Sequence, residues 1–193
     1  MDELVLYHTG FSPLPAPDVR YGRVNADLGQ GFYLTPDRDF ARRWAKLRAG
    51  RTAYVNTYAL DPDGLRVKRM TRGREWFELI SANRAGRVRE PDCDVIVAPI
   101  ANDTIYDTWG VLTSGLVSPE TALRLLAAGP AYTQVALRTD RAAANLRFLG
   151  AEPLPEAEIL AGRDLQRQEE IAYQAEFLSL LRELSPEAVS ILE

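Results

Sequence analysis

The chain contains one cysteine, Cys93, and one histidine, His8, among 193 residues. A single cysteine excludes an intrachain disulfide. One cysteine with one histidine also excludes a zinc site of the usual Cys/His type, and no D-x-D-x-D-G loop is present for calcium, so no metal is expected. Long apolar runs are missing too: nothing approaches the roughly 18 to 20 residues that a bilayer-crossing helix needs. The opening MDELVLYHTG has an acidic pair where a secretory signal has a basic start, and its apolar run is short. The expected compartment is cytoplasmic, with no membrane partner. An excess of positive charge is also lacking. Lys and Arg number 23 against 27 Asp and Glu, a net charge of −4, and no basic stripe of a dedicated nucleic-acid binder stands out.

What remains is an ordinary globular composition, 46% hydrophobic and 26% charged. The length suits one domain with an added terminal segment. Charge marks the division: residues 150–193 hold 3 basic and 10 acidic side chains, and the rest hold 20 basic and 17 acidic. We therefore expect a mildly basic domain over 1–150, suited to an anionic ligand, and an acidic helical extension over 151–193 suited to an interaction.

Periodicity and punctuation outline the elements. LVLYHT (4–9) reads as a strand, followed by the proline-rich loop FSPLPAPDVRYG and the short apolar run GFYLT. Thr35-Pro36-Asp37 predicts a helix over 36–48 with Thr35 as cap and Phe40, Trp44 and Leu47 on a buried stripe. TAYVNTYAL (52–60) reads as a strand, with LRVKRM pairing back on it as a hairpin after DPDG. A helix over 74–84 turns Phe77 and Ile80 inward, and DVIVAPIA (94–101) is a buried strand. Ser118-Pro119 opens a helix that Gly129 stops, YTQVALRT (132–139) is a strand, and Asp140 heads a helix to about Phe148. A linker, AEPLPEAEI, then precedes a long helix near 163–184. Strict βα alternation is absent, so the expected class is α+β.

Individually, the polar and glycine signals have bland readings. His8 at a strand end can satisfy a backbone carbonyl. Gly29-Gln30-Gly31 enters a strand rather than a helix, unlike the dinucleotide fingerprint, and can be a tight turn. Asn83-Arg84 at a helix end and Asn102-Asp103 at a strand end are either solvated termini or pocket residues. The basic helix face Arg38, Arg42, Arg43 and Lys46 is either solvated or aimed at an anionic ligand.

Taken together, Tyr7-His8-Thr9-Gly10, then Gly29-x-Gly31-Phe32-Tyr33-Leu34, then Trp44, resemble the ADP-ribosyltransferase superfamily, in its His-Tyr-Glu class with the poly(ADP-ribose) polymerases. The phrase GFYLT…A..WA…VN.Y also resembles a bacterial family of unknown function in the same clan, over roughly residues 4–148. The resemblance implies a split β-sheet core and NAD as co-substrate. It implies that His8 bonds the adenosine ribose, that the main chain of Thr9 grips the nicotinamide amide, and that Tyr33 and Trp44 flank the nicotinamide ring. It further implies that the two glycines let the backbone turn beside the ligand and deliver Tyr33. His8, Tyr33 and Gln134 would be the catalytic set. Two departures are plain. The order here is His-Thr-Gly where the class has His-Gly-Thr, and Gln134 stands where the class has its catalytic glutamate. Glutamine accepts a hydrogen bond but lacks the charge that steadies an oxocarbenium-like transition state. Chain elongation is not expected. The implied function is mono-ADP-ribosylation of a macromolecule, protein or nucleic acid, as in toxins of bacterial toxin–antitoxin pairs, with an antitoxin protein as a further partner. NAD hydrolysis and silent binding of NAD or ADP-ribose are the alternatives.

Overall fold

The computed structural model describes residues 3–87, 92–101 and 115–192; Asn102 and Asp103 lie outside them. Two sheets organise the described chain. In the first, the aromatic and β-branched run Ala53–Leu60 (β3) lies between Leu4–Gly10 (β1) and Leu146–Leu154 (β7), antiparallel to both. In the second, Phe32–Leu34 (β2), Thr133–Leu137 (β6), Val95–Pro99 (β5) and Val67–Arg69 (β4) follow in that spatial order, with only β4 and β5 parallel. The sheets are joined where Tyr7 and Thr35 exchange main-chain bonds, Tyr7 N to Thr35 O at 2.8 Å and Thr35 N to Tyr7 O at 3.0 Å. Among the described residues the helices are Arg38–Arg43 (α1), Arg74–Arg84 (α2), Pro119–Leu126 (α3), Asp140–Ala144 (α4), Glu156–Leu184 (α5) and Pro186–Leu192 (α6). This is an α+β fold, and none of these helices is long and apolar enough to cross a membrane.

Three apolar clusters hold the elements together. Leu6, Phe32, Leu34, Tyr58, Val135 and Leu137 pack between the sheets. Trp76 and Ile80 of α2 meet Leu125 of α3 and Tyr173, Phe177 and Leu181 of α5 against the second sheet. Ala45, Val55, Leu154 and Ile159 close the third, beside α1. A buried leucine or aromatic of this kind contributes about 1.5–3 kcal/mol. The long helix is therefore an integral wall of the fold, secured by its buried stripe.

Several sequence expectations are corrected. The cap of α1 is Asp37, whose carboxylate accepts from Phe40 N at 2.9 Å, because Thr35 is held extended by its bridge to Tyr7. The helix stops at Arg43, with Trp44 as a half-exposed C-cap residue rather than part of a buried stripe, and a separate turn follows in which Arg51 N bonds Arg48 O. In α2 the fully buried aromatic is Trp76, which donates to Pro99 O at 3.0 Å, while Phe77 is only partly buried. β4 makes no hairpin with β3. Asp94 accepts from Arg66 N at 2.8 Å and draws β4 alongside β5 instead. The largest correction is β7. The expected helix ends at Ala144, and the chain from Leu146 through the expected linker pairs with β3, crossing the expected boundary at residue 150. Pro153 is tolerated because β7 is an edge strand. α5 then starts at Glu156, a turn and more before its expected start.

Candidate functional site

The bridge between Tyr7 and Thr35 decides which way the neighbouring backbone faces. Tyr7 directs its N–H and C=O away from β3. Direction alternates along an antiparallel strand, so His8 faces Asn56 of β3 and Thr9 faces outward again, toward β2. There the strands have parted. Tyr33, which continues the register opposite Thr9, instead offers its carbonyl to His8 Nδ1 at 2.8 Å. The parting opens a cavity of about 320 Å³ whose lining includes His8, Thr9, Tyr33, Trp44 and Gln134, the five residues singled out in the sequence.

Each is held by a specific contact. A carbonyl can only accept, so His8 Nδ1 carries the hydrogen of this bond. Burial holds the imidazole pKa below its ordinary value, against the opposing pull of the bond to Tyr33. The neutral ring thus leaves Nε2 as an acceptor. Thr9 directs its hydroxyl away, to Ala41 O of α1 at 2.5 Å, so only its main chain is offered to the gap. The Tyr33 hydroxyl is occupied: it donates to Gly29 O at 2.7 Å and accepts from Leu28 N at 3.0 Å, and burial pushes its pKa well up. What Tyr33 presents to the cavity is its ring. Gln134 is buried with its amide nitrogen toward Pro99 O at 3.4 Å, leaving Oε1 as an acceptor. Trp44 is 39% exposed and leans on Phe40 at a ring separation of 5.5 Å. Phe40 also lines the cavity and stacks on Tyr132 at 4.3 Å.

The glycine corner does a different job from the one implied. Gly29 has φ +84°, and a Cβ there would lie 2.7 Å from an Arg138 nitrogen; a Cβ on Gly31 would lie 2.5 Å from Leu137 O. The missing side chains make room for Arg138, which donates to Leu28 O at 2.6 Å and Gln30 O at 2.7 Å. Protein, not ligand, fills the space. Tyr33 is nevertheless delivered by this corner, through the bond from its hydroxyl to Gly29.

Two charged lining residues, Arg23 and Asp27, carried no signature in the sequence. Asn83 and Arg84 are explained by them. Asn83 donates to Asp27 O at 2.8 Å and Arg84 pairs with the Asp27 carboxylate at 2.7 Å, so this pair buttresses the lining from behind. Arg23 is exposed at the rim and makes no ion pair among the described residues. The α1 arginines, read as solvated or ligand-facing, pair with carboxylates instead: Arg38 with Glu152, Arg42 with Glu158 at 2.7 Å and Arg43 with Glu169 at 2.5 Å. Glu169 also accepts from Tyr132 at 2.8 Å. Asn56 is fully buried and holds the loop after His8 through Leu14 N at 2.8 Å and Ser12 O at 3.2 Å. Cys93 is buried and its thiol is pushed up to about 11, first by burial and then by Asp92, a poor state for a nucleophile. No group of three His, Cys, Asp or Glu side chains among the described residues is arranged to hold a metal.

A family model described as a protein of unknown function (DUF3990) matches residues 4–148. The chain belongs to the DUF3990 family. No curated protein and no solved structure matches it. Every residue lining the main cavity falls within the DUF3990 span, whereas Glu152, Glu158 and Glu169, which brace α1, lie beyond it.

Proposed function

We propose that the protein is an NAD-dependent mono-ADP-ribosyltransferase, with the ADP-ribosyltransferase-like split sheet as its core and the cavity as its NAD site. The observation that carries this reading is the convergence on one cavity of His8, Thr9, Tyr33, Trp44 and Gln134, which come from four separate stretches of the chain. The volume, about 320 Å³, is at the small end of ligand pockets and suits the nicotinamide-ribose half of a dinucleotide.

In this reading the main chain of Thr9 holds the nicotinamide amide, and the ring lies against Tyr33 with Trp44 closing the outer side. A pyridinium gains from aromatic faces by stacking and by cation–π attraction. His8 Nε2 accepts from a ribose hydroxyl, and Gln134 Oε1 accepts from the hydroxyl next to the reacting carbon. Arg23 supplies positive charge at the rim for the pyrophosphate. The bond between the pyridinium nitrogen and ribose C1′ breaks, and its electron pair leaves with neutral nicotinamide. The oxocarbenium-like ribose is captured at C1′ by an acceptor nucleophile, which then loses its proton. As in the toxins that the sequence resembles, an antitoxin protein would be a natural partner, and the cytoplasm the natural setting.

Gln134 favours a second reading, NAD binding without turnover. An amide oxygen has no net charge to set against the cationic transition state, which weakens catalysis by about 10² to 10³ relative to a well-placed carboxylate. Incubation with NAD labelled in its adenylate half, in cell extract, separates the two. Transfer of label to a macromolecule, abolished in His8→Ala and Trp44→Ala, is expected. Release of free ADP-ribose alone would identify a glycohydrolase. Tight NAD binding with no products would establish the silent form, and no binding at all would overturn both readings.

A further inference from the structure

Apart from Arg23 at the rim, the arginines around the cavity fall into two groups. Arg38, Arg42, Arg43 and Arg84 face carboxylates, and Arg138 faces main-chain carbonyls. Arg48 and Arg51 have no carboxylate partner among the described residues, yet they are not loose. Arg51 N bonds Arg48 O at 3.0 Å across a turn in which Gly50 has φ +69°. Their guanidinium groups stand 5.9 and 5.8 Å from the centre of the Phe11 ring. Two like charges gathered beside one aromatic ring, neither in an ion pair among the described residues, are favoured by an anion that joins them.

This cluster borders the candidate site. Phe11 follows Gly10, and a Cβ on Gly10 would lie 3.8 Å from His8 Nε2. A second cavity of about 310 Å³ lies against the same turn, lined by Arg48, Arg51 and Thr52, with Glu156 as its carboxylate. Trp44 and Lys46, both exposed, sit on the segment between the two cavities. Cations outside any ion pair among the described residues, beside the partly exposed Phe11 ring, match the chemistry of an unpaired polynucleotide strand, whose phosphates meet the cations and whose free bases stack on the ring. A duplex offers the phosphates but hides the bases, and an acidic peptide offers charge without flat rings.

We propose that Phe11, Arg48 and Arg51, with the second cavity, form a binding site for single-stranded nucleic acid, adjacent to the NAD cavity. Binding by this patch is independent of the chemistry proposed for that cavity. Its role as the site of the ADP-ribose acceptor rests on that chemistry.

Fluorescence anisotropy with the full chain and labelled strands of about 20 nucleotides, in DNA and RNA forms, tests the proposal. The expected result is binding that weakens with salt. In an Arg48→Ala/Arg51→Ala double variant, affinity should fall at least ten-fold and the slope of log affinity against log salt should shrink by about 1.4, two cations' worth on a single strand. Phe11→Ala should also weaken binding, and Arg48→Lys/Arg51→Lys should retain the salt slope. No binding by the unaltered protein, unchanged binding by the alanine variant, or equal binding of a duplex would overturn the proposal. So would competition by polyglutamate as effective as by unlabelled strand, which would assign the patch to an acidic protein. The NAD-dependent rise in melting temperature of the same samples keeps the two readings apart: losing it in the unaltered protein bears on the NAD cavity alone, while the strand titration reads the patch directly.

Discussion

His8 Nδ1 and the main-chain oxygen of Tyr33 are 2.8 Å apart, so a side chain of one sheet is oriented by the backbone of the other. The ring is buried and its pKa is depressed. In the unfolded chain it titrates near 6.5. Between that value and the lower folded one the unfolded state binds more protons, so stability is complete above pH 6.5 and is lost as pH falls toward the folded pKa. Denaturant titrations from pH 7.5 down to 5 should show this loss, and His8→Gln should flatten it. NAD affinity of the folded protein should hold over that range and fall only at and below the depressed folded pKa, where Nε2 becomes protonated and cannot accept.

Gln134→Glu should raise turnover by at least ten-fold. The added charge faces the developing cation of the ribose. It also approaches the Pro99 carbonyl in a buried setting, so a loss of about 1–3 kcal/mol in stability should accompany the gain. Nicotinamide release measured beside a melting curve reads both effects.

Arg23→Ala should weaken binding of NAD and ADP-ribose by about 10- to 100-fold, the range for a lost hydrogen bond to a charged group. Binding of nicotinamide alone should be unchanged. Calorimetric titration with the three ligands distinguishes this from a general loosening of the cavity.

Glu169→Ala releases both Arg43 and Tyr132, and Tyr132 carries the ring on which Phe40 stacks. A loss of about 1–3 kcal/mol is expected from the partly buried contacts that remain unsatisfied. Arg43→Ala should cost little more in the Glu169→Ala background, and a double-mutant cycle on chemical denaturation measures that coupling.

Gly29→Ala should destabilise by about 1–3 kcal/mol, because it pits a side chain against both a left-handed backbone and the Arg138 guanidinium. Gly50→Ala has the same backbone constraint but open space around it, so the smaller loss expected there measures the backbone part, and the difference in melting between the two variants gives the steric part.

Strands rich in aromatic and β-branched residues, such as Ala53–Leu60, were legible in the sequence, as were helices with clear caps such as Pro119–Leu126. β7 was not. Its register shifts opposite Thr57/Tyr58, which leaves Leu149 out of step beside Gly150, and Pro153 breaks the usual strand signature. The parallel partner of β4 was equally hidden, because the Asp94 contact that selects it joins residues 28 positions apart. Within the cavity, His8, Tyr33 and Trp44 stood out through the resemblance of their motifs to the ADP-ribosyltransferase class, since each alone has a bland reading. Arg23 and Asp27 are common charged residues in an irregular loop; only the fold brings them to the cavity, where Asn83 and Arg84 close onto Asp27.

The braces on α1 also have a temporal side. Synthesis runs from the N-terminus, so a nascent chain that has just released Gln134 already bears every residue of the cavity lining. It still lacks the third strand of the first sheet and the carboxylates at 152, 158 and 169 that fasten α1. The ion pairs that fasten the helix carrying Phe40 can thus form only once the chain through Glu169 has been made.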